Sequence, residues 1–233
     1  MAERIVIDSE RLISGSGTER YRGKVIVAGD RRFIDSDIFK EKKPLIERGN
    51  LIGYVGRLSY EKGVMSLVRA IPSILKQRQD LEFLIGGDGP LLGEIKNEVA
   101  VLELDNKVEL SGWIPHDKLA DYLNELKLFV LPSSTEGLPN IVLEAMACGT
   151  PVLVTSVGAL PEIIKDKETG FIMKDNSPES IANGIMKALS YSHLGKVADN
   201  ARTLVENKYT FYIALERYRD ILVSLMMGDR SRE

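Results

Sequence analysis

The segment SSTEGLPNIVLEAMACGTPVLVT, residues 133–155, is the most informative stretch of this chain. It predicts a helix over 139–148, because Gly137 precedes the start, Pro139 suits the first helical position and Gly149 suits the stop. A helix start directs free backbone N–H groups and the positive end of the helix dipole at one point. Anions bind at such points. The segment therefore predicts a loop and helix start that bind an anionic ligand.

Two carboxylates, Glu136 and Glu144, lie on either side of this helix start. Because like charges repel, a carboxylate one turn inside the helix is unsuited to a phosphate and better placed to accept hydrogen bonds from paired hydroxyls, as on a ribose. The pattern favours a nucleoside diphosphate that carries a sugar. Two alternatives stay open, namely an ordinary exposed pair of carboxylates and an acid/base pair of the glycosidase type.

Outward from this segment, short apolar strands alternate with helical patterns from residue 49 onward. The strands are apolar on both faces and bounded by Gly, Pro or Asp, as in a parallel sheet covered on both sides. They are Leu51–Val55, Leu81–Ile85, Lys107–Leu110, Leu128–Leu131, Pro151–Val154 and Phe171–Met173. Helical patterns fall at Val64 to Leu75, 90–103, 117–126, 139–148, 161–165, 177–190 and 193–207. This alternation predicts an α/β domain with a doubly wound parallel sheet, and a ligand crevice at the carboxyl ends of the strands.

Two flanking segments lie outside this alternation. Residues 1–48 are too few for a second domain and contain charged, turn-like stretches. Residues 209–227 predict a long amphipathic helix with apolar side chains at compatible spacing, namely Phe211, Leu215, Tyr218, Ile221, Leu222 and Leu225.

Composition excludes several classes of protein. A net charge of -3 argues against nucleic acid as a partner, since nucleic-acid-binding proteins usually carry a basic excess. The single cysteine, Cys148, excludes an internal disulfide framework and fits a reducing compartment. No apolar run approaches the roughly 20 residues that span a bilayer. The expected location is cytoplasmic.

A second motif follows the first predicted strand. Residues 56–63 read GRLSYEKG and place two cations, Arg57 and Lys62, between glycines at the end of a parallel strand. Arg57 offers a planar fork and Lys62 a compact point charge, a plausible clamp for a pyrophosphate. The alternative is a solvated loop between a strand and a helix.

The two motifs together resemble the retaining GT-B glycosyltransferases of the glycogen-synthase-like group, also called glycosyltransferase family 4. Residues 56–63 match their G-R-L-x-x-E-K-G segment, and Glu136 and Glu144 match their E-x7-E signature, followed by A-M-A-C-G-T-P-V. The resemblance covers about residues 24–227. It implies a Rossmann-like donor-binding domain over 49–208, preceded at 1–48 by the remnant of an N-terminal domain with its linker, and followed at 209–233 by a crossing helix and tail.

The resemblance also implies roles for individual residues. Arg57 and Lys62 would hold the donor's phosphates, Glu144 the ribose hydroxyls, and Glu136 would lie near the transferred sugar, which makes Glu136, Arg57 and Lys62 the expected catalytic residues. Backbone around the helix start would face the phosphate or sugar at Gly137, Leu138, Asn140 and Ile141.

Two further loops follow predicted strands. The family uses the loop at Gly87, in GGDGP, near the donor, although a tight turn explains these glycines nearly as well. In similar enzymes the loop at Trp113 and Ile114 packs the nucleobase. The alternative there is a half-buried aromatic side chain that covers the edge of the sheet.

Metal binding is not expected. Two histidines and one cysteine make no convincing zinc site, and His116 is interpreted as a surface or capping residue. Asp35-Ser36-Asp37 matches a metal-nucleotide motif of another glycosyltransferase fold, but it does not follow a buried strand and its role stays open. The stretch from Ala28 to Phe39 aligns more closely with the turn that links the two halves of GT-B enzymes.

The implied activity is transfer of a hexose, with retention, from a UDP- or GDP-sugar to an acceptor hydroxyl, without a cofactor. The acceptor would be a glycan, a lipid or a small molecule, and the complete enzyme could contact a membrane peripherally. This chain would be mainly the donor-binding half, inactive alone, with self-association through the exposed C-terminal helix. The alternative is a non-catalytic nucleotide-sugar-binding module that needs a separate acceptor subunit. A phosphorylase is disfavoured, because no lysine motif for pyridoxal phosphate is evident.

Overall fold

The computed structural model describes residues 5–7, 19–27 and 32–229. Strands β1 (Ile5–Ile7) and β2 (Val25–Val27) pair in parallel as a small separate sheet, and a 3-10 helix at Glu19–Lys24 leads into β2. The stretch Ala28-Gly29-Asp30, which the sequence aligns with the interdomain turn, lies outside the described residues.

The main sheet has six parallel strands in the order β5-β4-β3-β6-β7-β8. These strands are β3 (Leu51–Val55), β4 (Glu82–Gly86), β5 (Val108–Gly112), β6 (Leu128–Leu131), β7 (Val152–Thr155) and β8 (Phe171–Met173). All residues of β6 and β7 are buried, as expected for strands covered on both faces. The prediction of a doubly wound parallel sheet is confirmed.

The helices that connect and cover the strands follow the predicted alternation. They are α1 (Val64–Leu75), α2 (Leu92–Val101), α3 (His116–Glu125), α4 (Asn140–Ala147), α5 (Leu160–Ile163), α6 (Pro178–Leu189), α7 (Leu194–Lys208) and α8 (Phe211–Asp229). Their ends lie within about two residues of the predicted ones, the usual uncertainty of helix boundaries. Pro139 immediately precedes α4 instead of opening it, so Asn140 is the first helical residue.

The order of the strands fixes where a ligand can bind. From β3 the chain proceeds to β4 and β5 on one side, and then crosses back to place β6 against the other side of β3. α1 packs against α2 and α6, whereas α4 packs against α3 and α7. The loop after β3 therefore leads to α1 in one group of helices, whereas the loop after β6 leads to α4 in the other group. In open α/β sheets, ligands bind at this reversal, outside the carboxyl ends of the strands.

The segment before β3 packs onto the domain. Ile34 and Phe39 are buried, and the backbone N–H of Ile34 donates to the carbonyl oxygen of Tyr209 over 2.8 Å. Arg48 is only 4% exposed. Its guanidinium donates to the carbonyl oxygen of Cys148 and to the hydroxyl of Thr150, each over 2.7 Å, so it ties this segment to the end of α4. The domain boundary between 48 and 49 stays a prediction.

Helix α8 shows two different faces. Ala214 and Ile221 are buried, whereas large apolar side chains on the rest of the helix are exposed, namely Phe211, Tyr212, Leu215, Tyr218, Leu222, Val223 and Met226. The predicted amphipathic helix is present, with an apolar face that the described part of the chain leaves uncovered.

Within the described residues, no helix has both the length and the apolar character that crossing a bilayer requires.

Candidate functional site

The loops that follow β3 and β6 contact each other directly. The backbone N–H of Ser134 donates to the carbonyl oxygen of Glu61 over 2.8 Å. Gly63, at φ 69°, comes so close to this second loop that an added Cβ would lie 2.0 Å from the carbonyl oxygen of Pro132. A side chain at position 63 would push the two loops apart. The two sequence motifs are therefore brought together, as the prediction of a common site requires.

An ion pair joins the charged residues of these two loops. Lys62 Nζ lies 2.7 Å from Glu136 Oε1, and the Ser133 hydroxyl donates to the same oxygen over 2.7 Å. The Glu136 side chain is 6% exposed and that of Lys62 26% exposed. Because a carboxylate at this depth needs hydrogen-bond partners, Lys62 and Ser133 hold the Glu136 side chain in one position.

Arg57 differs from Lys62, the other cation of the loop. Its backbone carbonyl is held by the hydroxyl of Tyr54, which donates over 2.7 Å. Burial raises the pKa of Tyr54, and the nearby carboxylates of Glu136 and Glu61 add to the effect, so this hydroxyl keeps its proton. The guanidinium of Arg57 is exposed and makes no hydrogen bond to a described residue. The fold thus fixes the backbone of Arg57 and leaves its five N–H donors available to a ligand.

The start of α4 supplies further donors. Within the described chain, the backbone N–H groups of Leu138, Asn140 and Ile141 have no acceptor, and Pro139 has no N–H to donate. Val142 is the first residue of this helix whose N–H is bonded, to the carbonyl oxygen of Pro139 over 3.2 Å. These amides and the dipole of α4 favour an anion at the helix start.

A cleft of about 410 Å³ opens at this edge of the sheet. Residues from the loops after β3, β4 and β5 and from helices α3 and α4 line it, namely Val55, Gly56, Arg57, Gly87, Asp88, Trp113, Ile114, His116, Leu119, Ile141 and Glu144. Its volume is in the range of small-molecule sites. The Arg57 cation and the Trp113 aromatic ring line the cleft, and the Glu144 carboxylate reaches it from one turn inside α4.

Glu144 is a buried acid within an otherwise apolar helix. Its side chain is 9% exposed, and its Oε1 lies 3.4 Å from His116 Nε2. Burial raises the pKa of the Glu144 carboxyl, while the hydrogen bond to His116 opposes that shift. The two carboxylates of the E-x7-E signature therefore have different partners, Lys62 and Ser133 for Glu136 and His116 for Glu144.

The predicted residues fall into two groups. Arg57, Gly87, Trp113, Ile114, Ile141 and Glu144 line the cleft, and the others lie beside it on the two contacting loops and the α4 start, namely Lys62, Glu136, Gly137, Leu138 and Asn140. Trp113 is 76% exposed, so the alternative of a half-buried side chain covering the sheet edge is wrong. Ile114 is buried.

The D-x-D sequence forms a turn of its own. The backbone N–H of Asp37 donates to the Asp35 carboxylate over 2.9 Å, and both residues are exposed. Neither is among the residues that line the cleft.

Sequence reasoning missed two polar residues of the cleft. His116 was expected at the surface or as a cap, and its side chain is indeed 65% exposed, whereas Pro115 holds the cap position of α3. The sequence did not indicate that His116 also lines the cleft and contacts Glu144. Asp88 lies in the loop for which a position near the donor and a tight turn were both open, and it was not singled out as a site residue. Its carbonyl accepts from the N–H of Leu58 over 2.8 Å, which ties the loop after β4 to the loop after β3. The available signal was position, since both residues follow a strand at its carboxyl end.

The chain belongs to the glycosyl transferases group 1 family, whose family model matches residues 35–209. It is 36% identical over 162 residues to an uncharacterized glycosyltransferase, MJ1607, of Methanocaldococcus jannaschii, an alignment that covers 69% of this chain and 41% of that protein. The chain spans from 31% to 55% of the length of other curated relatives that it matches.

Solved structures share the fold. The crystal structure of the C-terminal domain of a glycosyl transferase group 1 family protein, LpcC, from Francisella tularensis is 29% identical, with a TM-score of 0.68 over 76% of this chain and 98% of that one. The structure of Anabaena Alr3699/HepE in complex with UDP and glucose has a TM-score of 0.82 at 19% identity, over 96% of this chain and 64% of that one. The fold is that of the GT-B glycosyltransferases.

Gly87 offers a test of how the loops are spaced. It has φ 127°, its N–H donates to the carbonyl oxygen of Gly112 over 2.6 Å, and an added Cβ would lie 1.8 Å from the carbonyl oxygen of Gly56. Gly87→Ala should lower the free energy of unfolding by about 1–3 kcal/mol, because the strained backbone and the overlap force the loops apart. Urea unfolding measures this change.

Gly93→Ala is the matched control, since that glycine in α2 has nothing within 4 Å of an added Cβ. It should be neutral or stabilising by up to about 1 kcal/mol. Equal stability of the two variants would contradict the close approach of the loops.

Proposed function

We propose that this chain is the donor-binding half of a retaining glycosyltransferase, of the family 4 group, that transfers a hexose from a UDP- or GDP-sugar to an acceptor hydroxyl. The observation that carries the proposal is the convergence of three features at one edge of the sheet, namely the Arg57 guanidinium, the amides at the start of α4 and the Lys62–Glu136 pair. Among the described residues, neither the guanidinium nor these amides have a hydrogen-bond partner. Membership of the group 1 family supports the class of reaction.

The proposed chemistry concerns the leaving group. As the bond from the sugar to the diphosphate breaks, negative charge grows on the phosphate oxygens. Arg57 and the N–H groups of Asn140 and Ile141 stabilise that charge, and Lys62 adds its remaining donors beside Glu136. Fixed donors of this kind need no reorganisation during the reaction. In this proposal they take the place of a metal ion and no cofactor is needed.

The rest of the cleft is assigned to the nucleoside. Glu144 accepts hydrogen bonds from the ribose hydroxyls, and Trp113 and Ile114 pack the base. The glycine at position 87 lets the ligand approach the backbone. Glu136, held by Lys62 and Ser133, lies near the transferred sugar, together with the backbone at Gly137 and Leu138.

The acceptor-binding site is proposed to lie outside this chain, in another part of the complete enzyme. The chain spans 41% of its M. jannaschii relative, which is consistent with this proposal. The acceptor is proposed to be a glycan, a lipid or a small molecule, reached by an enzyme that works in the cytoplasm and contacts the membrane peripherally in the lipid case.

Removal of the unpaired cation tests donor binding. Arg57→Ala should weaken binding of UDP or GDP at least about tenfold, because a charge-assisted hydrogen bond contributes about 1.5–3 kcal/mol. Titration calorimetry measures this loss. Arg78→Ala is the control, because Arg78 pairs with Asp80 on the surface and takes no part in the cleft. Unchanged affinity of Arg57→Ala would contradict the clamp.

A second candidate function is a nucleotide-sugar-binding module that needs a separate acceptor subunit. This chain matches 98% of the solved C-terminal domain of LpcC, which supports a module of this kind that folds apart from the rest of its protein. Both candidates predict that this chain binds the donor and needs another part to transfer it, so turnover by the chain alone would indicate a self-sufficient enzyme instead.

The isolated chain should bind the donor without turnover. Mass spectrometry of UDP- and GDP-sugars incubated with the chain should show no release of the nucleoside diphosphate above the level of the Arg57→Ala variant. The physical reason is that the donor half lacks an acceptor and the closed, water-free site that the second half would complete. Hydrolysis that depends on Arg57 would contradict the half-enzyme and support an independent one.

The exposed apolar side chains of α8, Leu215 and Leu222 among them, are proposed to mediate self-association of the isolated chain, because exposed apolar patches of this kind favour burial. The double variant Leu215→Lys, Leu222→Lys should shift the chain toward monomer in sedimentation velocity. Ile46→Lys is the control, because Ile46 is an exposed apolar residue in a different segment. If the wild type is already monomeric, or if Ile46→Lys shifts the chain toward monomer as much as the double variant does, the apolar face of α8 does not mediate self-association.

A further inference from the structure

Glu144 is an acid that the fold places in an apolar environment. Its neighbours along α4 are buried, namely Val142, Leu143, Ala145, Met146 and Ala147. A buried carboxylate is costly unless it is hydrogen-bonded. In the part of the chain that the structure describes, His116 is the hydrogen-bond partner of this carboxylate. The orientation of Glu144 therefore depends on a side chain from another helix, α3.

His116 is itself held from a third segment. Its ring packs edge-to-face against Phe39, with ring centroids 5.1 Å apart and an interplanar angle of 69°. Phe39 is buried and lies in the segment that precedes β3. Pro115 restricts the backbone before His116, at the start of α3. The ring is thus fixed on one side by an apolar contact, although 65% of its side chain stays exposed.

The contact determines which oxygen of Glu144 remains available. A carboxylate only accepts hydrogen bonds, so Nε2 of His116 must carry the proton when it bonds to Oε1. The separation of 3.4 Å is at the long end of the hydrogen-bonding range, so the contact orients the carboxylate more than it stabilises it. Oε2 is left to accept from a ligand in the cleft that both residues line.

We infer that His116 is a positioning residue that orients the Glu144 carboxylate toward the ribose hydroxyls of a bound nucleotide. The inference rests on the proposed function, in which Glu144 binds the ribose. His116 then contributes to binding only through Glu144, so its contribution disappears when the ligand has no ribose hydroxyls. A residue that merely stabilises the fold, or that contacts the base or phosphates directly, has no such dependence.

The test compares ligands with and without these hydroxyls. Dissociation constants are measured by titration calorimetry for UDP and GDP and for their 2′,3′-dideoxy counterparts, with the wild type, His116→Ala and His116→Gln. His193→Ala is the control, because His193 is the other histidine of the chain and lies at the start of α7, outside the cleft. Thermal unfolding of each variant checks that the fold is kept.

His116→Ala should lose about threefold to tenfold in affinity for the nucleotide that the wild type binds, the range for one hydrogen bond, and nothing for its dideoxy form. His116→Gln should recover part of the loss, because its amide nitrogen can donate to the carboxylate. His193→Ala should match the wild type with both ligands.

An equal loss for both ligands, or no loss for either, overturns the positioning role. Failure of the proposed function would look different. The wild type would then bind no nucleotide, or Arg57→Ala would not change its affinity, and this inference would lose its basis as well. If nucleotide binding depends on Arg57 but His116→Ala leaves the ratio of affinities for the ribose and dideoxy ligands unchanged, only this inference is overturned.

Discussion

The close approach of the loops after β3 and β6 is the constraint on which the site depends. Gly63 abuts the carbonyl of Pro132, the N–H of Ser134 bonds to Glu61, and Lys62 pairs with Glu136. These contacts cross the point where the strand order reverses. They bring a cationic loop and a helix start, each able to attract an anion, to one edge of the sheet. Without this approach the two motifs would be separate surface features.

The charges at this edge have distinct tasks. Glu136 lies beside the place where phosphates are proposed to bind, which like-charge repulsion would oppose. Lys62 offsets that repulsion through its ion pair, and the Arg57 guanidinium, which has no hydrogen bond to a residue that the structure describes, is left for the ligand. Glu144 is kept at the cleft by burial and by His116. The two acids, Glu136 and Glu144, therefore have different roles, and so do the two cations, Arg57 and Lys62. The sequence motifs alone do not distinguish these roles.

Sequence patterns predicted the strands and helices well, because strands such as Leu128–Leu131 are buried on both faces and their apolar character is a local property. Patterns also placed Arg57 and Glu136 at the carboxyl ends of their strands. The pairing of Lys62 with Glu136 could not be predicted, since it joins residues 74 positions apart. The His116–Glu144 contact was missed for the same reason, because it depends on how α3 packs against α4. The exposure of Trp113 likewise follows from tertiary structure.

The most direct test of this nucleotide-binding site is a crystal structure of the chain with bound UDP or GDP. Electron density for the two phosphoryl groups should lie between the Arg57 guanidinium and the backbone N–H groups of Asn140 and Ile141, with the ribose at Glu144. Density for the diphosphate at another edge of the sheet, or phosphoryl groups that contact only one of the two motifs, would contradict the claim that these motifs form one nucleotide-binding site.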